Sequence, residues 1–211
     1  TSATKYLKAA GGKDGINVPP AVVGDDTEIG TRYLAAMHLA GRYAYAGREW
    51  VAERVRKIVG GNVVKSVHNH HNFAWRETHD GRDLWIVRKG ATPAFPGQAG
   101  FIGGSMGDDA VIIEGIESQD AKRALYSTVH GAGRTFGRKE AIRRFARSEM
   151  DAWVRERGVT LLGGGLDESP MAYRRLSDVL SHHLSSIEVK HTLSPIIVVM
   201  AGDGEIDPFK D

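Results

Sequence analysis

The chain has 211 residues, with 28 Lys and Arg against 26 Asp and Glu and 41% apolar side chains. That is the size of one large domain or two small ones, with enough apolar content to exclude a disordered or fibrous chain. A net charge of +2 excludes a protein that coats long nucleic acid over its whole surface, and zero cysteines exclude disulfides and thiolate ligands from within the chain.

In chain order, residues 1–30 carry AGGKDG and NVPPAVVGDD, where Gly and Pro break any long periodicity. The opening TSATKYLKAAGGKDG has no apolar run of the signal-peptide kind. From Thr31 to Val59 apolar side chains recur at helical spacing (Leu34, Met37, Tyr43, Trp50, Val51, Val55, Ile58), with Asp26 or Thr27 as the cap. Residues 62–115 read as strands. NFAWRET and DLWIVRK flank an Asp80-Gly81 pair that predicts a hairpin, and AVIIEG predicts a further buried strand. KEAIRRFARSEMDAWVRERG predicts one helix with Ile142, Phe145, Met150 and Trp153 on one side and Gly158 as its stop. DESPMAYRRLSDVLSHHL predicts another, with Ser169 as cap and Pro170 at its first position. IEVKHTLSPIIVVM predicts one or two strands, and its PIIVVMAG run is far short of the ~20 residues of a membrane span. With no internal repeat or low-complexity linker, the pattern predicts a single α+β domain over 1–211, a mixed β-sheet core with flanking helices, in a cytoplasmic setting with no membrane partner.

Of nine histidines, His68, His70, His71 and His79 fall in SVHNHHNFAWRETH. Neutral imidazole suits divalent transition metals, and a catalytic metal site usually takes about three protein ligands. On a regular strand His68 and His70 face one way and His71 and His79 the other, so they meet at one ion only through a bulge or turn. Without an HExxH partner, the segment reads equally as hydrogen-bonded or surface histidines.

Two other stretches place a polar side chain among glycines. GFIGGSMGDD and TVHGAGRTFGR give backbone that can turn freely and bring its amides close to an anion. His130 directly precedes Gly131-Ala132-Gly133, which presents an imidazole beside such amides, an arrangement suited to attack on phosphorus. Gly-rich turns are also common connectors, and either loop by itself reads as one. Eight basic residues, Lys122, Arg123, Arg134, Arg138, Lys139, Arg143, Arg144 and Arg147, lie around this loop and are opposed only by Glu140. Arg134 and Arg138 sit at helix-entry spacing; Arg143, Arg144 and Arg147 fit a solvated helix face. Arg88 and Lys89 end a strand, as phosphate ligands or as a surface pair.

Together these segments resemble the RtcB-type RNA-splicing ligases, in order and over almost the whole chain. HHNFAWRETH is similar to the family's HN…A…E-H segment, VRKGATPAFPG to its RKG-[AS]-T block, and IGGSMG to its GSMG loop. HGAGR resembles its nucleophile loop and DESPMAYRRL its DEAP-x-AYK block; HGAGR with RKGAT is the specific pair.

The resemblance implies a GTP-dependent ligase that joins an RNA 3′-phosphate or 2′,3′-cyclic phosphate to a 5′-hydroxyl, in tRNA splicing or RNA repair, with GTP and manganese, two ions, as cofactors. It implies that His130 is the residue guanylylated and that His71, next to Asn72, is a manganese ligand. Asn72, Gly103, Gly104, Ser105, Met106, Gly131, Ala132, Gly133 and Tyr173 then lie along the guanylate, and Arg88, Lys89, Arg134 and Arg138 meet RNA or GTP phosphates. The family's cysteine and two further histidines lie in segments that precede the part seen here, so the chain is expected to be the C-terminal part of a larger catalytic domain whose N-terminal half supplies them. Pro93 stands where the family often has arginine, and Met200 where it often ends in lysine, so Lys210 is the expected substitute and a divergent bacterial branch the expected placement. Two other classes of function stay open: a non-catalytic RNA- or nucleotide-binding remnant or partner subunit of a split ligase, and a metallohydrolase built on Asp108-Asp109 with His68 or His70.

Overall fold

In the computed structural model, residues 22–202 are described. They divide into two units, one reaching to Val64 and one running from Lys65. The first is carried by α1 (Glu28–Val59). Its start is set by Thr27, whose hydroxyl accepts from the Gly30 amide at 3.1 Å, and its end by Gly60 at φ 78. The predicted helix is thus extended by one turn at its start. Its apolar side chains remain largely uncovered, with Tyr43 82%, Trp50 63% and Ile58 84% exposed.

The second unit is a mixture of short helices and four small sheets, which makes the chain α+β. The strands are β1 (Asn72–His79), β2 (Arg82–Lys89), β3 (Ala91–Pro93), β4 (Ala99–Ile102) and β5 (Ala110–Gly115). They are followed by a short helix, α2 (Gln119–Arg123), and by β6 (Ser127–Val129), β7 (Thr160–Leu162), β8 (Ile187–Leu193) and β9 (Ile197–Val199). No single mixed sheet runs through the described residues. The β1–β2, β3–β6 and β4–β5–β8 sheets are antiparallel, and β7–β9 is parallel.

The β1–β2 hairpin turns on Asp80 and Gly81, at φ 49 and 72, the left-handed pair that a two-residue turn requires. β5 buries alternate residues, Val111 and Ile113, as the centre of its sheet. Two cores result. One joins Ile102, Val111, Ile113, Ala132, Leu176 and Ile187; the other joins Met106, Met150, Val154 and Val159.

Two predicted helices are corrected. The single helix over 139–158 is two, α3 (Arg138–Arg144) and α4 (Arg147–Glu156), parted by extended backbone at Phe145 and Ala146. The Glu149 carboxylate accepts from the Ala146 amide at 2.7 Å and opens the second helix, while Phe145 turns edge-on to Phe136 at 5.9 Å. Ile142 is consequently half in water at 52%, Met150 is fully buried, and Gly158 at φ 68 ends the run as expected. The helix expected from Ser169 is a 3-10 turn at Pro170–Ala172, then extended chain through Tyr173–Arg175, then a short helix at Leu176–Ser181. Side-chain bonds to two separate loops hold that middle stretch extended, and they are part of the site.

Candidate functional site

His71 and His130 come together. His71 lies in the bend just before β1, and His130 follows β6. Their rings stack with centroids 4.8 Å apart and 13° between planes. Gly90, directly after β2, closes the corner: its amide donates to the His71 carbonyl at 2.9 Å. A Cβ built on Gly90 would lie 3.7 Å from Cδ2 of His130, and its φ of +72 suits glycine. Partial desolvation, and then the neighbouring His71, hold the His130 imidazole below its ordinary pKa although the residue is largely open to water, so at neutral pH it carries a free lone pair.

The two glycine loops are one structure. The Gly103 amide donates to the His130 carbonyl at 3.3 Å and the Ala132 amide to the Gly103 carbonyl at 3.0 Å, a parallel bridge between Gly103 and Gly131. Each loop is anchored by one small or flexible side chain, Ala132 in the first core and Met106 in the second. Backbone at Gly103, Gly104 and Gly131 thereby stays half-exposed while these side chains supply the packing. Gly104 is required by space, since a Cβ there would meet the Asp109 carbonyl at 2.2 Å.

Tyr173, Arg174 and Arg175 lie across these loops. The phenol of Tyr173 accepts from Arg134 Nη1 at 2.6 Å and donates to the Glu168 carboxylate. Burial and then that carboxylate push the phenol up to about 12, so it stays protonated at neutral pH. The Arg174 amide donates to the Gly133 carbonyl at 3.0 Å. Arg175 Nη2 meets Asp108 Oδ1 at 2.8 Å, and Asp108 Oδ2 accepts from the Leu176 amide at 3.2 Å.

Several expected phosphate contacts are placed differently. Arg88 is 1% exposed. Its Nη1 and Nη2 hold Glu77 at 2.6 and 3.0 Å, Nε donates to Ser127 Oγ at 2.9 Å, and Nη2 also reaches the Leu125 carbonyl. The two-residue period of a strand turns Arg88 inward and Lys89 outward, so they cannot share a ligand; the phosphate contact expected of Arg88 is corrected to a structural one. Lys89 is exposed beside Asn72, its partner across the hairpin. Arg134 and Arg138 both bond Glu168, at 3.3 and 3.0 Å, and Arg134 also donates to the Phe136 and Asp167 carbonyls. Glu168 is thus the unrecognised organiser of this corner; the acidic pair before Ser169 was its sequence signal. Lys210 lies outside the described residues. Met200, at the place of the family's terminal lysine, packs against the second core.

The other clustered histidines go elsewhere. His70 stacks on Phe73 at 5.0 Å, and His79 is buried with its Nε2 2.8 Å from Glu77 Oε2. Residues 68–71 precede the strand, so no strand alternation applies to them. Among the described residues no three His, Asp or Glu side chains converge as a metal cage. His71 therefore offers a single imidazole, and these residues do not by themselves fit a manganese site. Asp108 is committed to Arg175, and Asp109 Oδ1 accepts from Ser194 Oγ at 2.7 Å. Among the described residues the separate metallohydrolase reading thus finds no cluster to rest on.

The model of the tRNA-splicing ligase RtcB family matches residues 4–201. The chain belongs to the RtcB family. RtcB proteins named RNA-splicing ligase from Escherichia coli strain K12 and Mycobacterium tuberculosis are 29% and 31% identical to it, over 83% and 90% of the chain and 45% and 50% of their own lengths. The tRNA-splicing ligase RtcB of Nanoarchaeum equitans is 31% identical over 82% of the chain and 43% of its own length. The chain spans about half the length of these RtcB relatives. Among the described residues no helix is long and apolar enough to cross a membrane.

Proposed function

We propose that the chain is the histidine-bearing C-terminal portion of an RNA ligase, acting in the cytoplasm on broken or spliced tRNA-like ends with GTP as co-substrate. The observation that supports this reading best is the His130 ring, stacked on His71 and rooted in backbone zipped to the Gly103–Met106 loop. A neutral His130 nitrogen attacks the α-phosphorus of GTP; the P–N bond forms and pyrophosphate leaves. The backbone of Gly103, Gly104, Ser105, Met106, Gly131, Ala132 and Gly133, with Asn72 and Tyr173, lies along the guanylate. An oxygen of the RNA 3′-phosphate then takes the guanylyl group, breaking P–N and forming a P–O–P link. The 5′-hydroxyl attacks the RNA phosphorus, loses its proton, and GMP departs. Lys89 faces water where an RNA phosphate can meet it.

Manganese is part of the proposal in one respect: His71 supplies one ligand, and the N-terminal half of the ligase supplies the others. No step is assigned through it from these residues. The lack of a three-ligand cluster among the described residues favours a second reading, a remnant that binds RNA or nucleotide without joining ends. Radiolabelled GTP with manganese separates the two. Covalent GMP on the chain when it is combined with an N-terminal half, lost in His130→Ala, supports ligation; binding without label in every combination overturns it.

A further inference from the structure

Among the described residues four arginines stand around the His130 loop, and three of them hold a carboxylate, although Nη1 of Arg175 has no hydrogen-bond partner. Arg134 and Arg138 hold Glu168, and Arg175 holds Asp108. Arg174 differs. Its backbone is tied to the loop through the Gly133 carbonyl, yet its side chain is exposed and has no carboxylate partner among the described residues. The guanidinium nonetheless lies against the loop, because a Cβ built on Gly133 would stand 3.4 Å from Arg174 Nη1. Gly133 sits at φ +75, so the absence of a side chain there both permits the turn and leaves room for the guanidinium.

A guanidinium with unused donors beside a loop of backbone amides is what a phosphoryl oxygen selects, since charge-assisted bonds from Arg are strong and directional. We infer that Arg174 is the anion-binding arginine of this site, donating to a phosphoryl oxygen held at the His130 loop. The inference rests on the nucleotidyl-transfer reading for its biological use, but the anion site itself can be tested apart from it. The phosphoryl group could belong to the guanylate or to the RNA end; both present the same chemistry. Arg174 is thus assigned a contact of the kind that the family resemblance implied for Arg88, Lys89, Arg134 and Arg138.

The test is equilibrium binding to the full chain of GMP, of an oligoribonucleotide ending in 3′-phosphate, and of the same oligoribonucleotide ending in 3′-hydroxyl. Arg174→Ala is expected to weaken GMP or the 3′-phosphate oligonucleotide about tenfold or more, the worth of one charge-assisted bond. Arg174→Lys should recover part of that loss, and Arg143→Ala on α3 should change nothing. Which of the two probes responds identifies the source of the phosphoryl group. Equal binding of wild type and Arg174→Ala to both, or no binding of either by wild type, overturns the assignment. Unchanged thermal melting of Arg174→Ala verifies that the exposed substitution left the fold intact. Covalent GMP capture by the combined halves is measured in parallel. Capture with no response to Arg174→Ala in any assay sinks the arginine and leaves the ligase reading; Arg174-dependent binding without capture does the reverse.

Discussion

The imidazoles of His71 and His130 lie nearly parallel at 4.8 Å, one from the bend before the hairpin and the other from the glycine loop after β6. Gly90 lies in this corner, its amide bonding the His71 carbonyl and its α-carbon turned toward the His130 ring, which an added Cβ would meet at ordinary contact distance. Both rings are exposed, so neither carries much of the fold. Replacing either by Ala is therefore expected to shift stability by within about 0.5 kcal/mol, as for other surface positions. GMP capture by the combined halves should vanish in His130→Ala and fall in His71→Ala. A large drop in melting temperature for either variant would mean that the stack is structural.

Arg88 should behave in the opposite way. Removing one partner from a buried, hydrogen-bonded ion pair leaves the other charge stranded and costs about 3–5 kcal/mol. Arg88→Ala is expected to lower the unfolding free energy by that amount and so pull the urea midpoint down, while Lys89→Ala leaves the midpoint in place and weakens RNA binding. If Arg88→Ala unfolds at the wild-type midpoint, Glu77 is not held as described.

Glu77 predicts an acid dependence. Burial by itself would raise its pKa, but the hydrogen bonds from Arg88 and His79 outweigh burial and hold the carboxyl below its ordinary 4.5. The folded chain therefore binds fewer protons here than the unfolded chain does. The stability this group contributes is present above the unfolded value and is lost as pH falls through the depressed folded value. Glu77→Gln is expected to be less stable than wild type at neutral pH, with the gap narrowing in acid below 4.5. Unfolding free energies measured against pH for both proteins check this; a constant gap would contradict it.

Glycine positions can be ranked by what surrounds them. At Gly104 a methyl group would press on the Asp109 carbonyl at 2.2 Å, and backbone cannot swing aside as a side chain can. Gly104→Ala is expected to cost about 1–3 kcal/mol, as overpacking does, and to disturb the loop bridged to His130. Gly137 opens into empty space at the start of α3. Gly137→Ala should cost less than about 1 kcal/mol, since Ala is a poorer N-cap than Gly but reduces the freedom of the unfolded chain. Thermal denaturation of the two variants side by side gives the comparison.

Local signals were strong where neighbours in sequence are also neighbours in space. The Asp80-Gly81 hairpin, the alternating burial of AVIIEG, the Thr27 cap and the Gly158 stop each depend on a few consecutive residues, so composition and period sufficed. The failures have two causes. The helix expected across Tyr173 was broken by bonds to the distant Arg134 and Asp108, and the one across Phe145 by the Glu149 carboxylate capping the Ala146 amide while Phe145 turns to Phe136. Periodicity carries no record of the first and does not separate a cap from a helix interior in the second.

The site divides along the same line. The sequence by itself determined which groups are available: an imidazole before Gly-Ala-Gly, a second glycine loop, a histidine beside Asn72, and a surplus of arginines. Only the tertiary structure decided their employment. It stacked His71 on His130, zipped the glycine loops together, turned Arg88 inward to Glu77, spent Arg134 on Glu168, and left Arg174 against Gly133 with no carboxylate partner among the described residues. An arginine's charge is written in its codon, but whether that charge is already neutralised depends on which carboxylate the fold brings within reach.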